Sequence, residues 1–246
     1  MNNSIIVTLD IDWACESAIE ETLSFMQRHD ISPTVFITHR SQQLEASMQQ
    51  IEVGLHPFFD QNSSHGSTIE EVVDHVLELP HNLKAFRCHR FAVCNASKLA
   101  MAEAGMLISS NVCTDLEIVP PFKDRFGFLE VPIFLEDGGY LWRKHPLEMN
   151  EPLEKAILAN GIKVILIHPM HFCLNTPDFN YMSRIKQSLS REAWKNMTRD
   201  TLNELRWKGR GIRDLLIELI SLAPSTRSLG KLLECETNCF IHNEKE

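Results

Sequence analysis

The 246-residue chain has no CxxC pair, no long apolar run and no GxxxxGK[ST] loop, and each absence excludes something. Its seven cysteines (15, 88, 94, 113, 173, 235 and 239) are an odd, scattered set, so neither a disulfide framework nor a cysteine-built zinc site is expected. No stretch approaches the roughly 20 apolar residues that span a bilayer. The opening MNNSIIVTLDIDW lacks the basic and apolar regions of a secretion signal, and reduced thiols without such a signal point to the cytoplasm. Positive charge is scarce as well. With 24 Lys and Arg against 33 Asp and Glu, the net charge of −9 argues against nucleic acid as a partner, because phosphate neutralisation supplies most of that affinity.

What is present is a globular composition, 43% hydrophobic and 23% charged, long enough to bury a substantial core. β-Branched runs at 4–9, 34–38, 51–55, 84–88, 129–134 and 163–167 alternate with helical patterns at 16–28, 41–49, 97–104 and 151–159. Thr68 with Glu71 three residues on reads as a capping box that opens a further helix. Nearly all-apolar strands followed by helices indicate a parallel sheet covered by helices, either a barrel or an open sheet. After Pro169 the alternation stops. Residues 170–200 read as a long, irregular polar excursion beside His168, a candidate lid. Residues 200–222 read as helix broken near Gly209 and Gly211, and 236–246 as a frayed tail.

In such folds ligands bind beyond the carboxy-terminal ends of the strands. Five of the proposed strand ends carry ionisable groups: Asp10 with Asp12, His56, Arg87 with His89, Glu136 with Asp137, and His168. His56 also opens the loop HPFFDQNSSHG, whose Pro, Asn, Ser and Gly residues disfavour helix and strand and which returns to a second histidine, His65. One carboxylate of the Asp10/Asp12 pair, with His56 and His65, makes a ligand set for one divalent metal, zinc foremost, with cobalt, nickel or iron as alternatives. A bound cation lowers the pKa of its water to roughly 7. The other Asp would take the proton of that water, and His168 would protonate the leaving atom.

Plainer readings stand beside these. Asp10-Ile11-Asp12 also fits the D-x-D of a Mg²⁺-dependent glycosyl- or phosphoryl-transfer enzyme, although no glycine-rich phosphate loop accompanies it. Arg87 could pair with a structural carboxylate, and Glu136 and Asp137 could be a solvated turn before Gly138-Gly139. His65 could be a loop-surface histidine and His168 a core one, but His171 and Asn175, just beyond, favour a site. The cluster Arg199, Arg206, Lys208, Arg210 and Arg213 reads as a solvated helix face, or as a contact for the pyrophosphate of a nucleotide- or lipid-linked sugar.

Taken in order, Thr8-Leu9-Asp10-Ile11-Asp12, Thr34-Val35-Phe36-Ile37, the His56…His65 loop, Arg87 and Ile165-Leu166-Ile167-His168-Pro169 resemble the polysaccharide deacetylase (NodB-like) family over residues 4–176. The resemblance is nearest to a divergent branch met in bacterial surface-polysaccharide, O-antigen-type gene clusters, where the loop also runs from HP to SHG. It implies a distorted (β/α)7-type barrel and removal of an N-acetyl group from an amino sugar. By the family pattern Asp10 is the base, Asp12, His56 and His65 bind metal, Arg87 holds the base and His168 is the general acid. His89, Glu136, Asp137, His171 and Asn175 are left as candidate substrate contacts. The chain departs from the pattern where Ile11 separates the two aspartates, leaving their roles exchangeable, and where eight residues separate the two histidines. The Arg87 strand also lacks the usual following proline. The expectation is one catalytic domain, 1–246, acting on a small-molecule or carrier-linked sugar, with no nucleic-acid partner and no transmembrane segment. The alternative is a metal-binding carbohydrate-binding homologue without turnover. Oligomeric state is not legible.

Overall fold

The computed structural model describes residues 3–234; the tail expected to fray from Glu236 lies outside the described residues. Ten strands form the sheet: β1 (Ser4–Asp10), β2 (Thr34–Ile37), β3 (Glu52–Leu55), β4 (Ala85–Phe86), β5 (Ile108–Ser109), β6 (Phe122–Lys123), β7 (Leu129–Glu130), β8 (Ile133–Glu136), β9 (Ile162–Ile167) and β10 (Thr226–Arg227). Their order is β6-β7-β5-β4-β3-β2-β1-β9-β8, with β10 beside β1, and all pairs are parallel except β6 with β7.

The two ends of this order are one piece of chain. β7 and β8 are halves of a single segment split at Val131-Pro132, the first paired with β5 and the second with β9. A parallel bridge between Cys113 and Ile133 joins the strand-5 side to β8. Counting β7 and β8 as one, seven parallel strands close on themselves, the distorted barrel that the resemblance implies.

Burial follows from the two-residue period of the strands. Ile6, Phe36, Ala85, Ile108, Val164 and Leu166 meet inside the barrel, whereas Ile5, Val7, Leu9, Val35, Ile165 and Ile167 pack outward against helices. The helix Glu16–Arg28 supplies Ala18, Ile19, Thr22, Phe25 and Met26 to that outer layer at helical spacing. The expected capping box at Thr68 and Glu71 opens the helix Ile69–Leu77. At Gly54 a Cβ would lie 2.7 Å from the Ala85 carbonyl and 3.0 Å from the Phe36 ring, so the close packing of β2, β3 and β4 needs glycine there.

The excursion at 170–200 is not irregular: Pro169–Leu174, Phe179–Ser188 and Arg191–Lys195 are helices. The first is buried along its whole length, starts on proline and stops at Asn175 in the left-handed region (φ 48°). The other two start at caps, Asp178 accepting from the Tyr181 N–H at 2.8 Å and Ser190 from the Ala193 N–H at 3.1 Å. Polar outer faces masked their apolar stripes, and the caps were the signal available. The break near Gly209 and Gly211 separates Arg199–Leu205 from Ile212–Leu222 as expected. A Cβ on Gly211 would lie 2.0 Å from the Asn175 carbonyl oxygen, so this joint admits no side chain. Among the described residues, no helix is long and apolar enough to cross a membrane.

Candidate active site

β1 carries the first carboxylate. Thr8 and Asp10 share the inward period of Ile6, and both meet Arg87, which follows β4 and is fully buried. The Arg87 guanidinium donates to Asp10 Oδ1 at 2.8 Å, Thr8 Oγ1 at 2.9 Å, Ser110 Oγ at 2.9 Å and the Ser110 carbonyl at 3.1 Å. It also lies 4.4 Å from the Phe36 ring centroid. A buried charge is tolerated when it is paired and its donors are occupied, as they are here. The second carboxylate oxygen of Asp10 stands 3.7 Å from His56 Nδ1.

Asp12 turns off the end of β1 into a different set. Its carboxylate, His56 and His89 place one ligand atom each within 4.8 Å of one another. Sheet order explains the meeting, because His56 and His89 leave the neighbouring strands β3 and β4. The His89 N–H donates to the Pro57 carbonyl at 2.9 Å, which locks the two strand ends side by side. His89 Nδ1 is 3.2 Å from Asp12 Oδ2, while Asp12 Oδ1 and His56 Nδ1 are buried without a hydrogen-bond partner. Burial alone would raise the Asp12 pKa, but the His89 hydrogen bond and the nearby His168 and His56 overcome it and hold the carboxyl well below its usual range. Burial pushes His56 down, toward the neutral imidazole that ligates metals. Two orphaned buried atoms on a His₂-carboxylate set are what a divalent cation would satisfy, so these residues fit the metal that the sequence implies.

The expected ligand His65 lies outside that group. Its Nδ1 accepts the Phe58 N–H at 3.2 Å and its ring stacks on His75 at 4.6 Å. Burial and His75 push its pKa down to about 4, against a hydrogen bond to the Thr38 backbone that raises it. His89, read from the sequence as a substrate contact, is the third member of that geometric group. Two residues beyond Arg87 at a strand end, it carried the same positional signal as His56, whereas the path of the 56–66 loop had none.

On the opposite side, β8 ends in Glu136 and Asp137 and β9 in His168. Asp137 Oδ1 is 2.5 Å from His168 Nδ1 and Oδ2 accepts the His168 N–H at 2.7 Å, fixing the ring twice. Burial opposes protonation of His168, yet Asp137, Asp12 and Glu136 raise its pKa to about 10. His168 Nε2 then faces Asp12 Oδ1 at 3.9 Å. Glu136 caps the helix Asp137–Trp142 by accepting from the Gly139 N–H, with its other oxygen 3.9 Å from His168 Nδ1. Burial pushes the Glu136 carboxyl up, with Asp137 adding to the shift and His168 opposing it.

Trp13 and His171 line the same end. The Trp13 ring centroid lies 5.7 Å from that of His168 and 5.0 Å from that of His171, a buried imidazole whose pKa burial lowers to about 4. His171 Nδ1 bonds Thr176 Oγ1 at 3.1 Å. Asn175 is taken up by the fold: its amide donates to the Gly209 carbonyl at 3.1 Å and Asp214 Oδ2 at 3.0 Å, and its oxygen accepts the Arg213 N–H at 3.1 Å. Trp13 was not among the candidate contacts, although its place beside Asp12 could have marked it.

Comparison with known proteins bears on the family and the fold. The WbmS-like polysaccharide deacetylase family model matches residues 7–186. A crystal structure from Bordetella bronchiseptica, provisionally described as a polysaccharide deacetylase involved in O-antigen biosynthesis, shares the fold with a TM-score of 0.77 and 23% identity over 89% of this chain and 90% of that one. A peptidoglycan N-acetylglucosamine deacetylase structure aligns more loosely, with a TM-score of 0.44 and 13% identity over 94% and 87% of the two chains. No curated relative matches the chain. The family match covers well over half of the sequence, and the chain belongs to the WbmS-like polysaccharide deacetylase family.

Proposed function

We propose that this protein is a metal-dependent hydrolase that removes an N-acetyl group from an amino sugar during bacterial surface-glycan synthesis. The observation that carries the reading is two separate pairs, Asp10 with Arg87 and Asp137 with His168, on either side of Asp12, His56 and His89. Asp12, His56 and His89 would hold the divalent cation, for which the imidazoles favour zinc, cobalt, nickel or iron over magnesium. When bound, it would activate water and polarise the amide carbonyl.

The residues then divide the proton work. Asp10, oriented by the Arg87 fork and free on its Oδ2 side toward His56, is the base for the attacking water. Its tie to Arg87, against the histidine surroundings of Asp12, supports the family assignment of base to Asp10 and ligand to Asp12. His168, whose pairing with Asp137 favours the protonated imidazole, delivers a proton to the leaving nitrogen. Trp13 and His171 wall the site and limit access of bulk water. The description of the Bordetella protein supports O-antigen-type glycans as the setting. Free thiols at Cys15, Cys88, Cys94, Cys113 and Cys173 suit a reducing, cytoplasmic compartment, and hence a precursor sugar as substrate.

The test is acetate release from nucleotide-linked N-acetylamino sugars by wild type and Asp10→Asn. We expect the variant to lose roughly 10²–10⁴-fold in rate, the usual worth of a general base, with its metal content unchanged. An Asp10→Asn as active as wild type would remove Asp10 as the base, whereas a wild type that holds metal and binds sugar but releases no acetate from any of them would favour the binding homologue.

A further inference from the structure

Three of the four arginines that the sequence offered as pyrophosphate contacts are engaged within the protein. Arg206 and Arg213 both donate to Glu21, and Arg210 forms a two-pronged pair with Glu218. A different cation faces the site. Lys186, on the helix Phe179–Ser188, holds its ammonium 3.7 Å from the Trp13 ring centroid and 5.6 Å from that of Trp194. Among the described residues no carboxylate lies within ion-pair distance of it. The Trp194 indole N–H donates to the Trp13 carbonyl at 2.7 Å, so residues 179–195 are anchored onto the loop that bears Asp12.

Arg90 is a second cation at this end of the barrel. It follows His89 in a turn where Arg90 and Phe91 are both left-handed, at φ 55° and 57°, a conformation that non-glycine residues keep only when the surroundings impose it. Its side chain is 75% exposed and reaches Asp60 only at the 4.0 Å limit. Lys186 rests on the Trp13 that follows Asp12, and Arg90 follows the His89 that meets Asp12, so both cations flank the proposed metal residues. An ammonium resting on indole faces at an open mouth is weakly held, and a charge-assisted bond to an oxyanion is the stronger contact.

We propose that Lys186 and Arg90 form an oxyanion subsite at the mouth of the barrel, so that the amino sugar carries a phosphate close to its acylated nitrogen. The inference rests on the proposed deacetylase reading for the sugar itself. An ammonium and a guanidinium from separate elements can engage different oxygens of a tetrahedral phosphate, whereas a planar carboxylate is met by one arginine fork alone.

Glucose 1-phosphate, which has no amide to cleave, is the first probe, titrated into metal-loaded protein with tryptophan fluorescence as readout. Drawing Lys186 off Trp13 should give a saturable change that is about tenfold weaker in affinity for Lys186→Met, kept by Lys186→Arg and absent with glucose. In turnover, the preference for an N-acetylhexosamine 1-phosphate over the unphosphorylated sugar should fall about tenfold in Lys186→Met. No fluorescence change in wild type, equal affinity in Lys186→Met, or a response to glucuronate alone would each overturn the proposal. Fluorescence judges the subsite even if no acetate is released, so its failure and that of the deacetylase reading are told apart. Uridine diphosphate and a short prenyl diphosphate, titrated in the same way, then separate a nucleotide carrier from a lipid one.

Discussion

The two ends of the barrel treat polar groups in opposite ways. At the lower end, Glu52 opens β3 and is saturated by the protein: it accepts from Thr34 Oγ1 at 2.7 Å, Ser228 Oγ at 2.5 Å and the Gly230 N–H at 3.0 Å. Lys163 there donates to Asn3 Oδ1 at 2.7 Å and to the Ala159 carbonyl. Ser4 Oγ is the exception, a single hydroxyl left without a partner. At the upper end, Asp12 Oδ1 and His56 Nδ1 are buried and unsatisfied in the middle of four histidines and several carboxylates. One end is closed by the chain's own return along β10; the other leaves two buried polar atoms that the proposed metal would meet. An unpaired buried polar group costs of order 1–3 kcal/mol, more when charged, so such atoms persist where a ligand meets them.

The sharpest way to break this comparison is at Arg87, a buried charge of the upper end whose every nitrogen has a partner within the protein. Arg87→Met leaves Asp10 buried without its partner and should lower stability by about 3–5 kcal/mol, read from the denaturant midpoint at unchanged slope. A loss below about 1 kcal/mol would mean that water or relaxation replaces the pair.

Asp137→Asn acts next, on proton affinity. The folded His168 pKa is raised to about 10, so its pairing stabilises fully below the ordinary histidine value of about 6.5 and is lost as pH climbs toward 10. With Asn at 137 the alkaline limb of activity should move down by more than one pH unit, and the loss of stability should be greatest near pH 5, slightly smaller at neutral pH and smallest toward pH 10. An unmoved limb would remove His168 as the acid.

Glu52→Gln probes the lower end and should have the smallest effect, a loss of about 1–2 kcal/mol in stability with kcat and KM unchanged, because the amide can accept only part of what the carboxylate accepts. A change in kcat there would show that the two ends are coupled.

Much of the frame was readable in the residues. Apolar runs at 4–9 and 163–167 could only be buried parallel strands, and the rule about strand ends picked out Asp10, Asp12, His56, Arg87, His89, Asp137 and His168. What the sequence hid was lateral order. Whether His65 or His89 joins Asp12 and His56 depends on β3 and β4 lying side by side, and on where an eight-residue loop folds, neither of which has a periodic signature. The helices at 179–188 and 191–195 were hidden by polar outer faces, and with them the position of Lys186 and Trp194 over Trp13. Asn175 looked like a ligand because it follows His168 closely, but its left-handed backbone at the helix end made it a joint.

The central claim is that Asp12, His56 and His89 form the metal set. Elemental analysis of tag-free wild type, His56→Ala, His89→Ala and His65→Ala tests it most directly. The account predicts near-stoichiometric zinc, cobalt, nickel or iron in wild type and in His65→Ala, and its loss in His56→Ala and His89→Ala. Metal retained in His89→Ala and lost in His65→Ala would contradict it and restore the loop histidine as the third ligand.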